Sequence, residues 1–143
     1  MTVINCQPIP RLYHNVGQHL EQTLTYNLTG EIRKHDCVPF DKGADIPEYG
    51  ISVKSARATL VSGMLMNAST REGQITEYFQ RVRANGFAYV AKDETAYIMD
   101  ASEFYKFLMR FTSFEKDSTK NGGRYKVRIK SETREMLAWL GAL

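Results

Sequence analysis

Two cysteines, Cys6 and Cys37, are all that this chain of 143 residues contains. They are too few and too far apart for a disulfide framework or a zinc site, so reduced thiols in a cytoplasmic protein are expected. No apolar run approaches the roughly 18 residues that a membrane-spanning helix needs. The start, Met1-Thr2-Val3-Ile4-Asn5-Cys6, lacks the basic segment and long apolar stretch of a secretory leader. No H-E-x-x-H, G-x-S-x-G or P-loop occurs, which leaves zinc-protease, esterase and NTPase readings without support. His19-Leu20-Glu21 has the H-x-E of zinc deaminases, but the P-C-x-x-C partner is missing. His14, His19 and His35 are therefore expected as ordinary surface or capping residues. Nothing repeats and no linker divides the chain, so residues 1–143 are expected to form one domain.

Charge of one sign is also scarce overall, with a net charge of only +3. Its distribution is uneven. Lys116, Lys120, Arg124, Lys126, Arg128, Lys130 and Arg134 crowd the C-terminal part, opposed by Glu115, Asp117, Glu132 and Glu135. Such local basic surface is what draws a polyanion.

What is present is a regular alternation of helical and strand periodicity. Tyr13, Val16, Leu20, Leu24 and Leu28 predict a helix over Arg11 to Thr29, with Gly30 as its stop. Gly17 lies on its apolar side, where a missing side chain lets a helix approach a sheet. Met1 to Pro10 reads as irregular because of Pro8 and Pro10. Glu31 to Phe40 reads as a strand and Asp41-Lys42-Gly43 as a turn. A hairpin follows, with its second strand running from Ile51 toward Leu60 and Val61. Ser62-Gly63 breaks the pattern. Glu72 to Asn85 predicts a second helix, with Ile75, Tyr78, Phe79 and Val82 as its apolar stripe and Gly86 as its stop. Phe87 to Ala91 and Thr95 to Met99 predict two strands. Asp100-Ala101-Ser102-Glu103 has the form of a capping box before a helix carrying Phe104, Phe107, Leu108 and Phe111. The phenylalanine stripe reads as core rather than as a base-stacking platform. Glu115 to Gly123 reads as a polar loop. Arg124 to Lys130 alternates as a strand, and Ser131 is placed to cap a last helix with Met136, Leu137 and Leu140.

The chemistry concentrates in Gly43-Ala44-Asp45-Ile46-Pro47-Glu48-Tyr49-Gly50-Ile51-Ser52-Val53-Lys54-Ser55. Pro47 and Gly50 shape a turn. Beyond it Ile51, Val53 and Ser55 share one face, and Ser52 and Lys54 the other. Pairing of the two strands brings Asp45 near Ser52 and Lys54. A carboxylate that can hold a divalent cation beside an ammonium that can contact phosphate suits metal-dependent phosphodiester cleavage. The plain alternative is a solvated hairpin whose lysine protects a sheet edge.

Asp45 followed by Ser52-Val53-Lys54 resembles the PD-(D/E)XK nuclease superfamily, the restriction endonuclease-like nucleases. That family carries an acid on one strand and (Asp/Glu)-X-Lys on the next. Asp45, Val53 and Lys54 match, whereas Ser52 stands where the second carboxylate belongs. The resemblance implies an α/β fold with an αβββαβ core. The expectation is a mixed sheet of about five strands flanked by helices, extended by a C-terminal strand and helix. It implies catalytic roles for Asp45, Lys54, Glu21 and Ser52. Glu21, on the first helix, would supply the missing acid, with Glu48, Glu72 and Glu77 as competitors. It implies a metal set of Asp45, Glu21 and the Val53 carbonyl, an oxygen-rich set suited to Mg²⁺ or Mn²⁺. Ser52 could hydrogen-bond a water at that set. Arg57, Arg124, Lys126, Arg128 and Lys130 would contact the nucleic-acid backbone, with DNA as the expected partner. A homodimer would serve cleavage of both strands, and no membrane association is expected. The alternative from a different class is a catalytically inactive nucleic-acid-binding or protein-interaction module on the same scaffold.

Overall fold

A computed structural model describes residues 1–11, 15–33, 44–61, 66–116 and 124–143. Its elements in chain order are β1 (Thr2–Asn5), α1 (Val16–Thr29), β2 (Ile51–Lys54), α2 (Arg71–Arg81) and β3 (Gly86–Val90). They continue with β4 (Thr95–Met99), α3 (Ala101–Phe111), β5 (Thr112–Lys116), β6 (Tyr125–Ile129) and α4 (Arg134–Gly141). The chain is thus mixed α/β. It has a four-stranded sheet in the order β1-β4-β3-β2 and a two-stranded sheet of β5 and β6. Two sheets stand where one of about five strands was expected.

β2 and β3 run parallel, joined through α2, while β3 with β4 and β4 with β1 run antiparallel. The sheet divides the core. On one face Leu20 and Leu24 of α1 pack against Ile46, Ile51, Ala88, Val90 and Ala96. On the other, Tyr78 of α2 and Phe104, Phe107 and Leu108 of α3 meet Phe87, Tyr89 and Met99. The Phe87 and Phe104 rings stack with centroids 4.9 Å apart, so the phenylalanine stripe is core as its spacing predicts.

The helix ends explain several boundaries. Gly30 has φ of 77° and its N–H bonds the Tyr26 carbonyl, the left-handed stop expected of it. At the other end the Asn15 side chain accepts the Gln18 N–H, which starts α1 at Val16 rather than Arg11. Asp100 and Glu103 form the full capping box. Asp100→Ala is expected to cost about 1 kcal/mol, read as a lower urea midpoint with an unchanged slope. α2 stops at Arg81, before the expected glycine, because Val82 and Ala84 turn away to pack on the core. Gly86 instead opens β3, where a Cβ would lie 3.3 Å from Ile51 Cγ1 on the neighbouring strand. Thr133, not Ser131, caps α4.

Three further expectations change. β1 is a strand because its β-branched residues precede both prolines and find the β4 edge. β5 replaces the start of an expected loop, since Thr112 to Lys116 pair along the whole of β6. β2 ends at Lys54, where the chain turns through Arg57 at φ of 63°. From there Arg57 to Leu60 run along β6, through Arg57 N–H to Ile129 O, Ile129 N–H to Ala58 O and Leu60 N–H to Val127 O. Glu31, Ile32 and Arg33 lie outside any strand. The rest of that expected strand lies outside the described residues, as do the Asp41-Lys42-Gly43 turn, Ser62-Gly63, Cys37 and the 117–123 loop. Among the described residues, no helix is long and apolar enough to cross a membrane.

Candidate functional site

Asp45 enters the site from a tight turn. Ile46 bridges Ile51 through a pair of backbone bonds, and Gly50 donates to the Pro47 carbonyl. Gly50 adopts φ of 63°, which its lack of a side chain permits, and its carbonyl accepts from Asn85 and Gly86. The turn is therefore tied to the start of β3. It brings Asp45 back alongside β2, where its Oδ2 accepts the Val53 N–H at 2.7 Å and the Ser52 hydroxyl at 3.4 Å. An extended residue points its N–H and C=O to the same edge. The Val53 carbonyl therefore opens toward the Asp45 side of the strand.

Glu21 reaches the same spot from α1. Its carboxyl is hydrogen-bonded to Asp45, and burial followed by the neighbouring negative charge pushes it up to about 8. The Lys54 ammonium completes the group. It donates to the Thr59 carbonyl at 3.2 Å and lies within the field of both acids. Burial holds the Lys54 ammonium below its ordinary value, with Asp45 and Glu21 pulling the other way. Four of the residues singled out by sequence (Glu21, Asp45, Ser52 and Lys54) thus converge at the outer edge of β2.

Ser52 is buried and donates to Asp45, with the Tyr78 phenol in its neighbourhood. Burial also raises the Tyr78 phenol. Tyr78 was legible only as an apolar residue of α2. Its polar end, which lies in the neighbourhood of Ser52, gave no separate signal. Among the described residues, no three His, Cys, Asp or Glu side chains gather as a metal-holding group. The acids here number two, and Ser52 supplies a hydroxyl in place of a third.

The competing acids are engaged elsewhere. Glu48 pairs with Arg33, Glu72 with Arg71, and Glu77 takes the Asn67 and Ala68 N–H groups and Arg81. The expected nucleic-acid contacts are divided. Arg57 forms a two-pronged pair with Glu115, at 2.8 and 2.9 Å. Arg128 donates to the Arg57 carbonyl at 2.7 Å and lies 3.9 Å from Glu115. Those two guanidiniums brace the small sheet. Arg124 and Lys130 are exposed, and Lys126 is half-buried. His19 departs from its expected surface position. It is buried, with Nε2 3.5 Å from a Glu94 carboxylate oxygen, because it lies on the sheet-facing side of α1.

Comparison with family models, with curated proteins and with solved structures finds no match to this chain.

Proposed function

We propose that this site hydrolyses phosphodiester bonds of nucleic acid, with DNA as the substrate, on a restriction endonuclease-like αβββαβ core. The observation that carries the reading is the meeting of Glu21, Asp45 and Lys54 at one strand edge. Residues from three separate parts of the chain come together there. The order of a helix bearing an acid, the Asp45 turn, β2 and a parallel crossover through α2 into β3 is compatible with that core.

The donor chemistry fits a hard divalent cation. Two carboxyl groups held against one another and half out of water favour a proton between them, as the raised Glu21 indicates. A cation can take the place of that proton. Asp45, Glu21 and the Val53 carbonyl would hold Mg²⁺ or Mn²⁺, with waters filling the remaining positions. When bound, such an ion supplies Lewis-acid polarisation of the phosphate and acidifies water.

The chain's own groups do the rest. Asp45 is fixed by the Val53 N–H, so its free oxygen has a defined direction. Lys54, in a poorly solvated position, stabilises negative charge developing on the phosphate and orients the attacking water. Ser52 holds Asp45 in place. The experiment is cleavage of plasmid and single-stranded DNA by purified protein with Mg²⁺ or Mn²⁺. Cleavage that stops on chelation is expected.

Ser52 favours one second reading, an inactive binding module, because a hydroxyl cannot neutralise a cation as a carboxylate does. DNA binding with a steep salt dependence, no cleavage, and no heat of Mg²⁺ or Mn²⁺ binding by calorimetry would establish that reading against the first.

A further inference from the structure

A cleft of about 210 Å³ lies at the N-terminus of α1, between Gly17 and Leu20 of the helix, Ser55 and Arg57 after β2, and Lys92 and Ser131. Its position is set by the site already described. Leu20 precedes Glu21 on α1, and Ser55 follows Lys54. The cleft thus lies past the end of the strand that carries Lys54, on its α1 face, and Asp45, Glu21 and Lys54 do not themselves line it.

Three features of this cleft suit an oxyanion. The Asn15 cap takes the Gln18 N–H, and no described residue accepts from the Val16 or Gly17 N–H. These groups carry the positive end of a 14-residue helix. Gly17 keeps that end bare, because a Cβ there would lie 3.1 Å from Asn15 Oδ1 and 3.4 Å from Ser55 Oγ. Second and independently, Ser55 is only 8% exposed and lines the cleft, and while its carbonyl accepts the Ala58 N–H its hydroxyl has no hydrogen-bond partner among the described residues. Its hydroxyl therefore faces the cleft and is free to bond a ligand oxygen there. Third, Lys92 is exposed, lines the cleft and has no ion-pair partner among the described residues. Its neighbour Glu132 is turned to the Tyr89 hydroxyl and the Lys92 N–H. Arg57 is committed to Glu115, so Lys92 is the cation left for a ligand among the described residues lining the cleft.

We propose that this cleft is a second phosphate subsite, which takes a phosphate group of the nucleic-acid strand next to the one held at the Asp45 and Lys54 site. Ser55 and the first α1 amides hydrogen-bond its oxygens, Lys92 balances its charge, and Leu20 lies against the attached sugar. The inference rests on the nucleic-acid reading above. It does not require catalysis.

The test is fluorescence anisotropy with short labelled single-stranded DNA in EDTA, where no cleavage occurs. Lys92→Ala and Ser55→Ala are each expected to weaken binding roughly threefold to tenfold, and Lys106→Ala, a charge-matched change on the exposed face of α3, is expected to leave it unaltered. Ser55→Ala is also expected not to lower Tm, since the lost hydroxyl has no partner among the described residues. Binding equal to wild type in both variants overturns the subsite. So does a Ser55→Ala loss that tracks a lowered Tm, or an absence of DNA binding by the wild type. Circular strands and linear strands with a 5′-phosphate, a 3′-phosphate or hydroxyl ends separate an internal phosphodiester from a terminal phosphate. Binding loss in these variants without any wild-type cleavage keeps the subsite and removes the nuclease reading. Cleavage with unaltered binding in both variants does the reverse.

Discussion

Lys54→Met is expected to lower phosphodiester cleavage by about 10² to 10³ while leaving the urea midpoint close to wild type. Methionine keeps most of the aliphatic stem and removes only the ammonium. That ammonium is poorly solvated and, among the described residues, donates to one backbone carbonyl, that of Thr59. Its burial disfavours the charged form, so the fold gains little from it. A large loss of rate with a small change in stability is therefore the signature of a charge kept for the transition state. Plasmid nicking at saturating Mg²⁺ measures the first quantity and urea denaturation the second. Unchanged cleavage in Lys54→Met would remove catalysis from this site. Lys54→Ala is expected to lose as much activity and somewhat more stability, because the stem is lost as well.

Glu21→Gln is expected to lose cleavage and, above about pH 8, to be more stable than the wild type in the absence of divalent cations. The sign follows from the raised carboxyl. Below about 4.5 Glu21 is protonated in both folded and unfolded chains. Between about 4.5 and about 8 the folded chain holds a proton that the unfolded chain has released, so stability falls as pH rises through that window. Glutamine has no such titration and can still donate to Asp45. Added Mg²⁺ should restore the wild type at high pH, because a cation that binds only the folded chain stabilises it by mass action. It should do much less for Glu21→Gln. Thermal unfolding at pH 6 and pH 9, with and without Mg²⁺, gives all four comparisons. Equal pH dependence in the two proteins would show that Glu21 does not share a proton with Asp45. Cleavage by the wild type should rise with pH as Glu21 ionises.

The parts of this fold that were legible are those written locally. The Asp100 and Glu103 cap, the Gly30 stop and the alternation of Val127 and Ile129 each carry their own signal. β1 and β5 were missed because each is short and gains its stability from a distant partner, β4 and β6 respectively. The turn at Arg57 was missed for a related reason. Its strained φ is supported by hydrogen bonds to β6, about seventy residues later. Within the site, Asp45 and Lys54 were legible from spacing, and Glu21 from family resemblance. The nearness of the Tyr78 phenol to Ser52 was not, because a tyrosine in an apolar stripe looks the same wherever its hydroxyl lies. The basic row on β6 shows the opposite limit. Charge can be read from sequence, but the commitment of Arg57 and Arg128 to Glu115 cannot.

Asp45 has one more consequence. No other described strand pairs along the outer edge of β2, and the Val53 N–H on that edge is taken by a side chain. A carboxylate there occupies a donor that a strand of another molecule could otherwise use, and its charge repels an approaching carbonyl. The same acid thus bears on whether chains stay apart at high concentration. An inactive Asp45→Ala protein would mix the loss of the proposed metal ligand with an unguarded edge, so a loss of cleavage accompanied by light scattering would say little about chemistry. Glu21 and Lys54, which do not hold that backbone donor, are the cleaner places to separate catalysis from self-association.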